Sequence, residues 1–260
     1  MHLSFLEPAL RTAVSFVPSP SLIRLRELRD LPALIRRVPH EPDFLALRFW
    51  KVNEPVILDV GANRGQSLRS FRYVIHDPWV HCVEPNPFLA SHLRKAHNGD
   101  PRVQVHQLAA SDSAGEFDLY LPRYGHTVYD TRAALGPVAP EAFLSSEFFM
   151  GFRPDRAAVE RVKVRVMTLD ELSIEPKLVK IDVEGADDRV IAGSSQLLRR
   201  FRPLVLVELP QPATVDLLTG LGYAPFAFEQ PRRLIEGGRG ELNTYFLLAE
   251  HREQFDLVVD

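Results

Sequence analysis

The chain has 260 residues, of which 45% are hydrophobic and 25% are charged, proportions that fit a globular protein with a sizeable core. Its net charge of −3 gives no basic surface for nucleic acid, and its single cysteine, Cys82, excludes a disulfide framework and a cysteine zinc site. We find neither a run of apolar residues that could span a membrane nor a signal-peptide pattern. We therefore expect a cytoplasmic protein with no transmembrane segment and no nucleic-acid partner.

Residues 1–53 are predicted to form an N-terminal helical extension whose short helices are broken by prolines. The stretch LIRLRELRDLPALIRRV places Leu22, Leu25 and Leu28 on one side, which is amphipathic helical spacing. Such a helix can pack against the main domain or form a homo-oligomer contact with a second subunit. The alternative is a basic helix that rests on an anionic membrane.

Residues 54–260 alternate between predicted strands and helices and form one predicted domain. Apolar strands separated by helices indicate a doubly wound, mostly parallel, seven-stranded Rossmann-like α/β sheet with an antiparallel edge hairpin. An insertion at about 117–160 interrupts this domain, and its first part, GEFDLYLPRYGHTVYD, is predicted to be a hairpin or an extended loop. The strands predicted here are PVILDVG, VHCVEPN, VQVHQLAAS, RVKVRV, KLVKIDVEG, PLVLVEL, YAPFAF and NTYFLLAE.

The stretch DVGANRG, at the end of the first strand, indicates a ligand site, because doubly wound sheets bind ligands at the carboxyl ends of their strands. Gly61 and Gly65 allow close backbone approach, and the helix that follows offers free amide donors. Glu84 ends the second strand, where a carboxylate can accept hydrogen bonds from both hydroxyls of a ribose. Asp59 would repel a pyrophosphate but suits a cation, so S-adenosylmethionine fits better than a dinucleotide.

Several motifs in one order resemble the FkbM-type methyltransferases: DVGANRG, VEPNP, LAASDSAGEFDLYLP, TLDEL and LVKIDVEGADDRVIAGSSQLLRRFRPLVLVEL. These are class I enzymes that use S-adenosylmethionine, and most are assigned as O-methyltransferases of natural products, sugars and polysaccharides. The resemblance covers roughly residues 55–250. The chain departs from the family at Asp187, where Glu is usual, and in ELPQP, where a His commonly follows the EL pair.

The resemblance and the chemistry together assign a cofactor site. The methionine end is expected at Asp59 and the glycine turn, the ribose at Glu84, and the adenosine near Asn86 and the exit of the third strand. Alternatives stay open: Asp59 could cap the turn, Glu84 could be a solvated loop acid, and the third strand could have an ordinary exit. The predicted cofactor-binding residues are Asp59, Gly61, Ala62, Asn63, Gly65, Glu84, Asn86, Ala110, Ser111 and Asp112.

Catalysis is predicted to involve Lys180, Asp182 and Glu184, which period-two alternation places on one face of a strand. Three charges are costly to bury there, so we expect them to meet beside the cofactor. Asp182 or Glu184 would remove the proton of an acceptor hydroxyl, with Lys180 balancing their charge. The alternative is an ion cluster that only braces the strand. A divalent cation at Asp182 is not favoured, and no metal site is predicted.

His126, in the insertion, is a further candidate base that could reach over the cleft. His81 and His106 are expected to pack within strands, whereas His40 and His251 are expected at the surface. Aromatic residues of the insertion either line an acceptor pocket or form a small satellite core. These residues are Tyr124, Tyr129, Phe143, Phe148 and Phe149.

The leading hypothesis is an O-methyltransferase that acts on a small-molecule or glycan hydroxyl. The alternative is a catalytically inactive module that keeps the fold and binds a nucleoside or a partner. An oxidoreductase is a weaker option, because the G-x-G-x-x-G turn of dinucleotide-binding proteins is missing.

Overall fold

The computed structural model of the chain describes residues 36–129, 134–135, 152–183 and 185–260. Most of the N-terminal extension and one predicted catalytic residue, Glu184, lie outside these residues, as do Phe143, Phe148 and Phe149. The described residues fall into two compact units. The larger contains Arg37–Gly115 and Arg165–Asp260, and the smaller contains the described part of Glu116–Val164.

The strands, in chain order, are β1 Val56–Val60, β2 Trp79–Val83, β3 Val103–His106, β4 Ala109–Ala110, β5 Gly115–Tyr124, β6 Thr127–Val128, β7 Ala134–Leu135, β8 Ala157–Met167, β9 Leu178–Ile181, β10 Leu204–Glu208, β11 Ala224–Glu229, β12 Arg233–Glu236, β13 Asn243–Leu247 and β14 Val258–Val259. The α-helices are α1 Gln66–Val74, α2 Pro87–Ala96, α3 Asp187–Ala192, α4 Ser195–Phe201 and α5 Pro212–Gly220. Short 3-10 helices span Pro42–Phe49, Pro154–Arg156, Leu169–Glu171 and Ala249–Gln254. Within the part of the chain that is described, no helix has the length and apolar character needed to cross a membrane.

The larger unit is built on a mixed sheet with the strand order β14-β12-β11-β13-β10-β9-β1-β2-β3. Its centre is parallel: β3, β2, β1, β9 and β10 all run in the same direction. Strand β13 is antiparallel to β10, β11 is antiparallel to β13, and β12 is antiparallel to β11. The prediction of an α/β sheet with a parallel centre and an antiparallel edge is confirmed.

The predicted count of seven strands is wrong, because the sheet has nine strands among the described residues. The two extra strands, β12 and β14, are short and lie at the edge of the sheet. Strand β14 has two residues, and β12 has two adjacent apolar residues, Leu234 and Ile235, between two charged ones. Neither strand therefore shows the alternation that predicts a strand.

The third predicted strand, VQVHQLAAS, is divided in the structure. Its first half is β3 of the large sheet, whereas its second half is β4, which pairs with Val166 and Met167 at the end of β8. The predicted strand RVKVRV therefore lies in β8, outside the nine-stranded sheet.

The two faces of the large sheet are covered by different elements. Ile57 of β1 belongs to a core with Phe44 of the first 3-10 helix and Phe71 of α1. Leu58, its neighbour, belongs to a second core with Val190 of α3, and α4 and α5 add residues to it. Because side chains alternate along a strand, Asp59 lies on the face of Ile57, beneath α1 and the 3-10 helix.

The smaller unit contains the predicted hairpin, which is confirmed by the antiparallel pairing of β5 with β6. Tyr124 and Tyr129 are buried in a small core with Phe152. For these two tyrosines the satellite-core alternative is therefore confirmed.

Candidate active site

Polar residues form a row across the carboxyl end of the parallel strands in the larger unit. Asp59 of β1 is in register with Lys180 of β9, and Glu208 of β10 is in register with Asn243 of β13. Asp182 follows Lys180 by two residues, and its amide donates to the carbonyl of Val60 at 2.9 Å. Period-two alternation therefore brings these side chains to one face of neighbouring strand ends.

The turn after β1 needs glycine at its first position. Gly61 has a φ of +85°, and a Cβ atom there would lie 1.7 Å from the carbonyl oxygen of Asp182. Gly65, with a φ of +81°, directly precedes α1. The amides of Gly61 and Ala62 both donate to the carbonyl of Val83, at 2.9 and 3.2 Å. The turn is thus held tightly between β2 and the end of β9.

Asp59 is the most unusual residue of this region. Its side chain has no exposed surface, and neither carboxylate oxygen has a hydrogen-bond partner among the described residues. Burial raises the pKa of Asp59 from 3.8 to about 6, while Lys180 opposes the rise and Asp182 adds to it. The alternative that Asp59 only caps the turn is wrong, because it accepts no backbone hydrogen bond there. A buried, unpaired carboxylate is a site for a cation or a hydrogen-bond donor.

Glu84 is held rigidly at the end of β2. It is 5% exposed, which rules out a solvated loop acid. Its Oε2 accepts from the backbone amide of Asn63 and its Oε1 accepts from that of Asn86, both at 2.8 Å. These two hydrogen bonds fix the direction of the carboxylate. Asn63 has a φ of +49° and a buried Oδ1 with no partner among the described residues.

The remaining predicted cofactor residues lie near these strand ends. Asn86 caps α2 by accepting from the amide of Phe88 at 3.0 Å, and Pro87 begins the helix, as predicted. Ala110 is buried in β4, and Ser111 is buried just after it. Asp112 is exposed, and its Oδ1 accepts from Ser111 at 3.2 Å. Whether these residues contact a cofactor stays a prediction.

The predicted pair of Lys180 and Asp182 is present. Lys180 is fully buried, and its Nζ donates to Oδ2 of Asp182 at 2.7 Å. Burial acts to lower the pKa of Lys180, but the carboxylates of Asp182 and Asp59 outweigh it and hold the pKa above its usual value. The Asp182 side chain is 31% exposed, so it faces both Lys180 and the outside. This geometry is consistent both with an ion pair that only stabilises the strand end and with Asp182 as a catalytic base.

Glu208, at the end of β10, was missed in the sequence. Burial raises its pKa from 4.5 to about 8, and a side-chain hydrogen bond with Asp182 adds to the rise. Glu208 and Asp182 therefore interact at the ends of neighbouring strands. The sequence does contain a pattern that indicates Glu208, because PLVLVEL has an acid near the end of an apolar strand, as PVILDV does.

Of the other predicted catalytic residues, one belongs to the smaller unit and one is outside the described residues. His126 is exposed at the turn between β5 and β6 in the smaller unit, and its role as a base stays a prediction. Glu184 is not among the described residues. Cys82 is a buried free thiol, as expected, and burial raises its pKa.

One of the four histidine predictions is wrong. His81 and His106 pack within strands as expected, with stacked rings 5.3 Å apart. His40 is exposed, as expected, and its Nδ1 lies 2.8 Å from Oγ of Ser70. His251 is not at the surface: it is 3% exposed, and its Nδ1 accepts from the amide of Leu248 at 3.0 Å.

Comparison with known proteins identifies the family. The model of the methyltransferase FkbM domain matches residues 59–224. The chain is 29% identical over 180 residues to the 2-O-methyltransferase NoeI of Sinorhizobium fredii (strain NBRC 101917 / NGR234), an alignment that covers 64% of this chain and 71% of NoeI.

Two solved structures are also similar. The methyltransferase FkbM of Methylobacillus flagellatus KT has a TM-score of 0.46 and 15% identity, over 84% of this chain and 59% of that chain. This chain thus spans less than two thirds of the Methylobacillus chain. Fibrillarin of Aeropyrum pernix, in complex with S-adenosyl-L-methionine, has a TM-score of 0.42 and 12% identity, over 84% of this chain and 74% of that chain. Because the family match spans more than half of its residues, the chain belongs to the FkbM family of methyltransferases.

Proposed function

We propose that this protein transfers a methyl group from S-adenosylmethionine to a hydroxyl oxygen of a small molecule or glycan. The observation that carries the proposal is Asp59, a buried carboxylate without a hydrogen-bond partner among the described residues, beside a glycine turn at the strand ends. A carboxylate in this state needs a positive partner, and the ammonium of the donor's methionine end supplies one. NoeI, a relative that is named a 2-O-methyltransferase, favours oxygen as the accepting atom.

The residues present fit such a donor. Asp59 and the buried Oδ1 of Asn63 are unpaired polar groups beside the turn, among the described residues, and would take hydrogen-bond donors of the methionine end. Glu84, whose carboxylate is oriented by two backbone amides, would accept hydrogen bonds from the two ribose hydroxyls. We assign the adenine to the strand exit at Ser111 and Asp112.

S-adenosylmethionine supplies an electrophilic methyl carbon on a sulfonium. The acceptor oxygen would form the new C–O bond as the methyl–sulfur bond breaks, and S-adenosylhomocysteine would leave with the electron pair of that bond. The hydroxyl proton would pass to a base within hydrogen-bond reach. Asp182 is the best candidate in the described residues, since Lys180 orients it and part of its side chain is exposed. Glu208, which interacts with Asp182 at the neighbouring strand end, would take the proton on from Asp182 once it is itself ionised, above pH 8.

Calorimetry tests the cofactor assignment. We expect S-adenosylmethionine and S-adenosylhomocysteine to bind and NAD not to bind. Glu84→Ala should weaken binding of either compound by roughly 1–3 kcal/mol, the cost of lost charge-assisted hydrogen bonds. Unchanged affinity in this variant would refute the ribose contact.

A screen of tritiated methyl transfer into glycans and natural-product extracts tests the reaction. Label in an alkali-stable ether supports O-methylation. Tight cofactor binding with no transfer to any acceptor would favour the alternative, a module that binds a nucleoside without catalysis.

A further inference from the structure

A segment of the chain that precedes the family match contacts the carboxyl end of β10, where Glu208 lies. Glu41 directly precedes the 3-10 helix Pro42–Phe49, whereas the match to the FkbM domain begins at residue 59. Asn243, which begins β13, lies beyond the end of that match at residue 224. These two residues, 202 positions apart in the chain, meet at the carboxyl end of β10.

Hydrogen bonds tie this segment to the strand end. Asn243 is fully buried, and its Nδ2 donates to Oε2 of Glu41 at 2.6 Å. Its backbone amide donates to Oδ2 of Asp43 at 2.9 Å. Tyr245, also buried, donates its hydroxyl hydrogen to the carbonyl of Asp43 at 2.7 Å. Since Asn243 pairs with Glu208, the segment fixes the strand end that carries this acid.

The charge of Glu41 also affects Asp59 and Glu208. Burial acts to raise the pKa of Glu41, but His40, 3.2 Å from its Oε1, together with Asn243 and Lys180, lowers the pKa below the usual value. The negative charge of Glu41 in turn contributes to the raised pKa of both Asp59 and Glu208. The charged groups that interact with Glu41 are His40, Lys180, Asp59 and Glu208, and Asp43 shares Asn243 with it.

We propose that Glu41 is a positioning residue of the methyl-transfer site, which holds the end of β13 against β10 through Asn243 and places its negative charge at the strand end that carries Glu208. The catalytic meaning of this role rests on the proposed function. The role itself is a property of the protein without ligand. A residue outside the family domain would then act on the acids within it.

Carboxyl-carbon NMR titration of the unliganded protein tests the proposal. The signals of Asp59 and Glu208 are assigned with Asp59→Asn and Glu208→Gln. In Glu41→Gln, which keeps a hydrogen-bond acceptor for Asn243 but loses the charge, both titration midpoints should fall by roughly half a pH unit. Glu253→Gln, an exposed residue with the same change in charge, should leave both midpoints unchanged.

Glu41→Asp keeps the charge, so the midpoints of Asp59 and Glu208 in this variant should stay close to those of the parent protein. This variant is measured as well, in case Glu41→Gln does not fold. Unchanged midpoints in Glu41→Gln, or equal shifts in Glu253→Gln, would overturn the proposal. Calorimetry with S-adenosylhomocysteine is run in parallel. A parent protein that does not bind this compound overturns the proposed function, while the midpoint shifts still decide the role of Glu41.

Discussion

Replacing Asp59 with Asn should stabilise the unliganded protein at neutral pH, although it alters the most deeply buried acid of the site. Asp59 has no hydrogen-bond partner among the described residues, so its ionised form loses its hydration without a local replacement. Asn has nearly the same shape and no charge. The substitution therefore removes the desolvation cost and leaves the packing in place.

The magnitude follows from the pKa. An unfolded Asp titrates near 3.8, whereas buried Asp59 titrates at about 6. Between these pH values the folded state keeps a proton that the unfolded state has released, so the unfolding free energy falls as the pH rises and then levels off above pH 6. The difference of about two pH units corresponds to roughly 3 kcal/mol. The unpaired amide of Asn costs on the order of 1–2 kcal/mol at every pH, which leaves a net gain of about 1–2 kcal/mol.

Urea unfolding between pH 4 and pH 8 measures this effect. The difference in unfolding free energy between Asp59→Asn and the parent should grow by about 2–3 kcal/mol in favour of the variant across this range. Asp187→Asn is the matched control. Asp187 is equally buried but accepts from the amide of Gln211 at 3.0 Å and from Oγ1 of Thr214 at 2.7 Å. This control should lose about 1–2 kcal/mol at pH 7.

Opposite signs for the two variants at pH 7 are the critical result. If Asp59→Asn destabilises the protein as Asp187→Asn does, then Asp59 has a partner in solution, and the argument for a cation site fails. The same Asp59 variant should bind S-adenosylhomocysteine about 10- to 100-fold more weakly, because it lacks the charge that faces the ammonium.

Three further variants test the turn, the helix cap and the acid pair. Gly61→Ala should destabilise the protein by at least 2 kcal/mol more than Gly99→Ala in thermal unfolding, on the order of a strained contact; both glycines have positive φ, but only Gly61 abuts a carbonyl oxygen, whereas nothing lies within 4 Å at Gly99. Asn86→Ala should cost about 1 kcal/mol of unfolding free energy by removing the cap of α2, and a loss no larger than that of an exposed alanine substitution would contradict this role. Glu208→Gln should remove any rise of the methyl-transfer rate near pH 8, because ionised Glu208 is the group whose pKa lies there; a rise that persists would assign the titration to another residue.

The parts of the site that the sequence predicted are local in the chain. Asp59 is the penultimate residue of an apolar strand, Glu84 directly follows one, and Asn86 precedes a proline that begins a helix, so short patterns define them. The family resemblance then supplied their order. Lys180 and Asp182 followed from period-two alternation within one stretch, and their ion pair is present.

The parts that were missed depend on contacts between distant residues. Glu41 meets Asn243 across 202 positions, and no pattern around HEPD indicates that this segment lies over the carboxyl end of β10. Glu208 resembles Asp59 in its local pattern, but its raised pKa arises from burial and from Asp182 on a neighbouring strand. Strand β14 has two residues and exists only because β12 offers an edge. Each of these features depends on the assembled sheet.

The raised pKa of Glu208 also predicts that ligand binding is coupled to the release of protons. Glu208, with a pKa of about 8, holds a proton at pH 7, whereas Asp59, with a pKa of about 6, is largely ionised there. A positively charged ligand close to Glu208 lowers the pKa of Glu208, so binding at pH 7–8 should release protons into the buffer. Calorimetry in buffers of different ionisation enthalpy measures this release, with adenosine as the uncharged control. Release with S-adenosylmethionine and not with adenosine means that Glu208 faces the charged half of the donor. Equal release, or none, means that Glu208 faces something else.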